Sequence, residues 1–312
     1  MLVSDGQQAS PALDALLLQT YRNLEVLVCD VGSTDGPSAV CAECAARDER
    51  VTYLRHEGNR DYRGSEGTFR SVVTRASGEY FMWTSARDSR GVTAVEECVE
   101  ALRRNPRAVM AHGPIEVTFT SRPGMVVVSN QMDLTSSSMI ERVRTFTTRL
   151  EHHGMVYGLF KRQELAAMTF GDHVGHVYLT CLQACLHGQI EYVSSPIIRY
   201  QQQNEALDTS MYPLRPMTLT DLLTCRSARR YKCWVTLLMG CRRVLTHRNV
   251  QRADRMAGAS VFAREFIRRY RRHLASELVF LLFTPVQCVA PTLASGCAKF
   301  KARFTRRTAD AL

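Results

Sequence analysis

Leu24-Glu-Val-Leu-Val-Cys-Asp-Val-Gly-Ser-Thr-Asp-Gly36 is the stretch whose reading decides the fold. Its first seven residues are a compact apolar run ending in Asp30, the pattern of a strand buried on both faces of a sheet. Gly32 and Gly36 break the run, and Ser33, Thr34 or Asp35 can cap a helix just beyond. Upstream, Leu13, Leu16, Leu17 and Leu18 fall at helical spacing within Ala9–Tyr21, with Ser10 as N-cap and Pro11 in the first turn. Downstream the alternation continues. Strands are expected over Val51–Arg55 and Tyr80–Trp83, and helices over Ser38–Asp48, Gly64–Ala76 and Thr93–Arg104. Ala108–His112 and Ile115–Phe119 are further strand candidates. Strands alternating with helices give an α/β fold with a mostly parallel sheet covered on both faces. Ligands of such sheets bind outside the carboxyl ends of the strands, which directs attention to Asp30 and to the segment after Trp83.

From Asp133 onward the order changes. Ser138–Leu150 is expected to be a helix, Met155–Phe160 a strand, Val177–His187 a helix and Ile190–Val193 a short strand. The sheet domain is expected to span 1–200. Residues 201–216, with Gln-Gln-Gln-Asn and two prolines, read as a linker, and 217–312 as a helical region. Helices are indicated there over Leu219–Ala228, Cys233–Leu245 and Ala253–Leu274. Leu278–Ala298 carries no charge and is long enough for a membrane span. Pro285, Pro291, Thr284, Gln287 and Ser295 favour instead a kinked, buried terminal hairpin with solvated basic flanks, an interfacial segment being the alternative.

The net charge of +10 is unevenly spread. Residues 226–312 hold 19 basic and 4 acidic side chains, whereas residues 1–225 hold 21 basic and 26 acidic. Such asymmetry points to a polyanionic surface partner. The tail lacks the interleaved aromatics of a single-strand platform and any zinc or helix-turn-helix signature, so an anionic membrane ranks above nucleic acid. The eleven cysteines are odd in number and scattered, and no secretory signal stands at the start, so a reducing, cytoplasmic compartment is expected. Cys41 and Cys44 form a CxxC without a second pair at metal-ligand distance and read as two thiols on a helix.

Three pieces in register carry a family resemblance. Leu13-Asp-Ala-Leu-Leu-Leu-Gln-Thr-Tyr-Arg-Asn-Leu-Glu25 resembles the first helix and loop of family-2 glycosyltransferases. Val26 to Gly36 is similar to their strand and Asp-Asp-Gly-Ser-Thr-Asp-Gly turn, and Ala76-Ser-Gly-Glu-Tyr-Phe-Met-Trp83 to the strand leading to their Asp-x-Asp motif. The resemblance implies a GT-A (nucleotide-diphospho-sugar transferase) fold, with a donor half at about 1–112 and an acceptor half at about 113–200. It also implies transfer of a sugar from a nucleotide-diphosphate sugar to an acceptor hydroxyl, on a glycan or lipid-linked acceptor. A divalent metal, manganese or magnesium, belongs to that chemistry.

Carried over residue by residue, Asp30 takes the base-binding position, and Leu2-Val3-Ser4-Asp5 stands where the family has Pro-x-Tyr-Asn, making Ser4 a nucleotide-pocket residue. The family's first strand is then expected to be missing. The metal motif falls on Ser85-Ala86-Arg87, followed by Asp88. Asp88 is the remaining metal-ligand candidate, with Ser85 and Arg87 on the nucleotide sugar, Arg87 pairing with phosphate. The acceptor-side acid position falls on Val177. Asp172 is the nearest carboxylate and the candidate base, while nothing in the spacing of His173 and His176 separates a base from a surface role. These replacements also raise an alternative, a catalytically inactive relative kept as a binding or scaffold protein.

Overall fold

A computed structural model describes residues 2–3, 6–30, 37–55, 66–85, 89–119, 122–129, 131–151, 153–170, 176–202, 232–248 and 250–289. In chain order its first elements are β1 (Leu2–Val3), α1 (Gly6–Leu17), β2 (Val26–Asp30), α2 (Pro37–Arg47), β3 (Val51–Arg55), α3 (Glu66–Arg75), β4 (Tyr80–Met82) and α4 (Ala94–Arg104). There follow β5 (Ala108–His112), β6 (Ile115–Phe119), β7 (Arg122–Ser129), α5 (Met139–Arg149), β8 (Leu159–Lys161) and α6 (Arg162–Ala167). The last are α7 (His176–His187), β9 (Gln189–Tyr192), β10 (Ile198–Gln202), α8 (Lys232–Thr246) and α9 (Arg252–Val289).

The decisive run forms β2, the middle of a parallel ladder β1-β2-β3 in which Val26 to Asp30 pair one-for-one with Val51 to Arg55. Val26, Val28 and Val51 are buried with Leu13 of α1 and Cys41 of α2, so helix stripes close over the ladder as the periodicity requires. The expectation of a missing first strand is corrected: Leu2 and Val3 pair in parallel with Cys29 and Asp30, because two residues suffice to engage the ladder groups at the carboxyl end of β2. Cys41 is buried on α2, and burial pushes its thiol up to about 11, the behaviour of a packing residue.

The second ladder runs β4-β8-β5-β9 and adds antiparallel pairs to the mostly parallel sheet expected: β8 is antiparallel to both β4 and β5. The expected strand over Met155–Phe160 divides. His153–Tyr157 is a 3-10 turn, and only Leu159–Lys161 extends. Gly158 sits at the division, where a Cβ would collide with the Ala111 carbonyl and the Met110 side chain; only glycine lets the turn approach β5 this closely. A third ladder, β10-β6-β7, pairs β6 in parallel with β10 and as a hairpin with β7.

The C-terminal helices share the main core. Phe262, Phe266 and Tyr270 of α9 meet Phe146 of α5 and Tyr178 of α7, with ring centroids 4.9 Å apart for Phe146–Tyr178 and 5.9 Å for Tyr178–Phe266. Gly240 lets α8 cross directly over the Phe262 ring. The buried Glu277 carboxylate accepts the Cys233 and Trp234 amides at 3.0 and 3.2 Å, satisfying the free N–H groups that open α8. Arg269 donates to the carbonyls of Thr147, Thr148 and Leu150, a cation at the negative end of α5. α9 kinks at Tyr270 (φ −106°, ψ 18°) and continues through Pro285 to Val289, where a hairpin was expected to begin near Leu278. Among the described residues no helix is long and apolar enough to cross a membrane.

Candidate active site

Asp30 ends β2 almost fully buried, at 1% exposure. A carboxylate there needs a hydrogen-bond partner. The register supplies it. Tyr53 pairs with Val28, so its side chain leaves the ladder on the same face as Val28 and Asp30, and its hydroxyl donates diagonally to Asp30 Oδ2 at 2.7 Å. The bond fixes the carboxylate plane at the carboxyl edge of the ladder.

A pocket of about 470 Å³, counting its open mouth, lies beyond the end of β4. Trp83 and Ser85 line it from the segment after β4, Tyr157 from the 3-10 turn, Phe170 from the loop before α7, and His176 and Thr180 from α7. Trp83 is held edge-on by Phe81 at 4.5 Å between ring centroids. The Gln183 side chain grips Thr169 through N–H and C=O, both at 2.9 Å, which fixes Phe170 against α7. The floor is therefore aromatic and rigid, with hydroxyls and one imidazole as its polar groups. Such a mixture suits a ring bearing hydroxyl groups.

The motif residues around the site hold it together. Gln19, fully buried, donates to the Gly91 carbonyl at 3.0 Å and accepts the Val95 amide at 3.2 Å, while the Thr20 amide donates to Val92 O at 2.9 Å. The Gln-Thr pair thus clips the end of α1 to the start of α4. Glu25 Oε1 accepts from Ser77 N, Ser77 Oγ and Gly78 N at 2.6, 2.9 and 3.0 Å, locking the turn that feeds β4. Burial opposes ionisation of Glu25, yet the Ser77 and Gly78 bonds outweigh it and lower its pKa. Glu97 is lowered in the same way: burial is outweighed by bonds from Ser195, Thr93 and Ser194 that tie α4 to the loop before β10.

Of the residues singled out in the sequence, Asp30 ends β2, and Ser85, three residues past β4, lines the pocket. Ser4, Arg87, Asp88, Asp172 and His173 lie outside the described residues. His176, indistinguishable from a surface residue in the sequence, lines the pocket. Tyr53 and Trp83 were missed as site residues; Tyr53 is signalled only by a strand register that no local pattern reveals.

The description "Glycosyl transferase family 2" matches residues 8–160, a segment that holds Asp30, Glu25, Gln19 and Ser85. Residues 8–160, just under half of the chain, belong to glycosyl transferase family 2. Among curated glycosyltransferases of the same kind, the GlyA protein of Streptococcus pneumoniae serotype 4 is 30% identical over 76 residues, 24% of this chain and 10% of GlyA. S. aureus TarS superposes with a TM-score of 0.58 at 11% identity, covering 86% of this chain and 42% of TarS. The mannosyltransferase PcManGT of Pyrobaculum calidifontis, solved with GDP-Man and Mn2+, gives a TM-score of 0.50 at 15% identity, covering 97% and 78% of the two chains. The structural likenesses establish the GT-A fold. The chain matches about a tenth of GlyA and under half of TarS.

Enzymes of this fold commonly use a divalent metal, and PcManGT was solved with Mn2+; by the resemblance alone, the metal motif falls on Ser85 here. A neutral hydroxyl is a weak replacement for a carboxylate as ligand to a hard cation. Among the described residues no three His, Cys, Asp or Glu side chains converge on one point. Asp88, the expected ligand, lies outside the described residues, and no chemical step is derived through a metal.

Proposed function

We propose that the chain transfers a sugar from a nucleoside diphosphate sugar to an acceptor hydroxyl. The observation that carries this reading is the buried Asp30 carboxylate, held by Tyr53 at the carboxyl end of β2. A carboxylate so oriented accepts an N–H of a nucleobase, which selects the nucleotide and anchors it. TarS has been solved with UDP and with UDP-GlcNAc, which supports the same donor class here. The aromatic pocket at the end of β4 then receives the sugar, with Trp83 and Phe170 beside the ring and Ser85 and Thr180 offering hydroxyls. The acceptor oxygen attacks the anomeric carbon, the bond to the diphosphate oxygen breaks, and the electron pair leaves with the nucleoside diphosphate. By resemblance, Arg87 pairs with that diphosphate, Asp88 contacts the diphosphate or a metal on it, and Asp172 is the nearest acceptor-side carboxylate.

A second reading, an inactive relative that binds nucleotide sugars, is favoured by Ser85 at the metal position. Release of nucleoside diphosphate from UDP-GlcNAc and GDP-mannose, with and without manganese, separates the two. Donor-specific release above the protein-free rate supports transfer. Saturable binding without release, in the presence of glycan and lipid-linked acceptors, supports the inactive relative.

The same reading extends to location, as peripheral contact with an anionic membrane through α9. Arg264, Ile267, Arg268 and Arg271 share one exposed helical face, with Arg272 beside them. Glu265 partly offsets two of them, pairing with Arg268 at 2.9 Å and Arg264 at 3.4 Å. Basic side chains around an exposed Ile267 match an interfacial helix better than a nucleic-acid groove.

A further inference from the structure

We propose that Arg243 of α8 is a positioning residue for the pocket, acting through Gln183 on the Thr169–Phe170 backbone, so that the C-terminal helices are part of the site. That this position serves sugar transfer rests on the glycosyltransferase reading above.

Gln183 is the joint. It is only 5% exposed, and a buried amide needs partners at both ends. Its oxygen accepts the Thr169 amide at 2.9 Å and Arg243 Nη1 at 3.2 Å. Its nitrogen donates to the Thr169 carbonyl at 2.9 Å and to the Leu179 carbonyl at 3.3 Å. Both lone pairs and both N–H groups of the amide are then used. Gripping Thr169 requires one orientation, with the oxygen toward its N–H and the nitrogen toward its C=O. Turned over, the amide would aim N–H groups at the Thr169 N–H and at a guanidinium, which holds only donors. Arg243 therefore favours the orientation that grips Thr169. Phe170, the next residue, lines the pocket together with Trp83.

Packing brings Arg243 to this place. Leu237 and Val244 of α8 are buried in the core that also holds Leu179 and Leu182 of α7. One helical turn beyond Gln183 and Arg243 the two helices meet again, where the rings of His187 and His247 approach to 4.9 Å between centroids. His187 Nδ1 and Glu164 Oε2 lie 2.9 Å apart, which ties this second contact to α6. Two rungs, Gln183–Arg243 and His187–His247, thus set the register of α8 along α7. Arginine suits the role because its donors stand in a fixed planar fork, so its seating dictates the direction of the bond. Any shift of α8 along α7 reaches Phe170 through the Gln183 amide.

The test uses the full chain. In a Trp234→Phe background Trp83 is the single tryptophan, and its quenching by acrylamide reports the packing of the pocket wall without requiring activity. Nucleoside diphosphate release from UDP-GlcNAc and GDP-mannose, measured without the Trp234 change, reports turnover. Arg243→Met keeps the stem and removes the donors. It is expected to raise the quenching of Trp83 and to lower kcat/KM by up to about 10²-fold, the cost of an ångström-scale misplacement. Gln183→Glu keeps an acceptor for Arg243, and with it the seating of α8, but loses the donor to the Thr169 carbonyl; its quenching is expected to rise as well. A residue that merely docked α8 would leave Gln183→Glu at the wild-type level, and this variant decides the matter if Arg243→Met does not fold. The double variant Gln183→Met/Arg243→Met is expected to match Gln183→Met alone, because Arg243 acts through the amide. Wild-type quenching in Arg243→Met, or additive effects in the double variant, overturns the proposal. Absence of wild-type binding and release with both donors overturns the glycosyltransferase reading, while the quenching still decides whether Arg243 positions the wall.

Discussion

His112 lies in β5 with no exposed surface, its ring edge-on to Tyr192 at 5.4 Å between centroids. Burial lowers its pKa from the usual 6.5 to about 4. The unfolded chain therefore takes up a proton near pH 6.5, whereas the folded chain resists until about pH 4. Stability is complete above that window and falls as the pH drops through it. At about 1.36 kcal/mol per pH unit of difference, the loss reaches roughly 3 kcal/mol across the window, a sizeable share of the ~5–15 kcal/mol typical of a folded domain. Urea unfolding at intervals from pH 7.5 to 4.5, on the wild type and on His112→Gln, isolates this contribution. The wild type is expected to lose about 2–3 kcal/mol more than the variant over that range. Glu25 and Glu97, whose pKa values are lowered, weaken the fold only further into acid and do so equally in both proteins. Parallel pH profiles for the two proteins would refute the reasoning.

Tyr53→Phe removes the bond that orients Asp30 and is expected to weaken nucleotide binding by about 10- to 100-fold, from the ~1.5–3 kcal/mol of a bond to a charged group; an unchanged Kd by calorimetry contradicts it. Arg269→Ala removes the cation at the end of α5 and is expected to cost about 1–2 kcal/mol in urea unfolding, with Arg269→Lys intermediate. Joint replacement of Arg264, Arg268, Arg271 and Arg272 by alanine is expected to abolish retention on phosphatidylserine vesicles, each arginine contributing up to ~1 kcal/mol; retention on DNA instead, lost with salt, would transfer the surface to nucleic acid.

The parts of this fold that follow from local pattern were legible. Val26–Asp30 could be read as a buried strand because five consecutive positions needed shelter, and α4 and α5 matched their expected spans to within a residue or two. Pairing direction was not legible. Whether β8 runs with or against β4 is set by the turn at His153–Tyr157, and a buried 3-10 turn carries the same apolar residues as a buried strand. The hairpin strand β7 was missed because Arg122-Pro-Gly opens it with residues that suggest a loop. In the site, Asp30 was legible through its motif and its place at a strand end. Its partner Tyr53 depends on the β2–β3 register, and the entry of His176 into the pocket depends on how α7 packs, both non-local facts. Gln19 and Glu25 were visible as motif letters, yet their work as clips appears only once α4 and the Ser77–Gly78 turn lie beside them.

The account turns on Asp30 as the residue that reads the nucleotide. Calorimetric titration of UDP-GlcNAc and GDP-mannose into the wild type and into Asp30→Asn tests this most directly, because the amide keeps the shape and reverses half of the hydrogen-bonding character. Saturable binding of one donor by the wild type, weakened at least about tenfold in Asp30→Asn with an unchanged melting temperature, is the predicted result. Equal binding by both proteins, or binding of neither donor by the wild type, would contradict it.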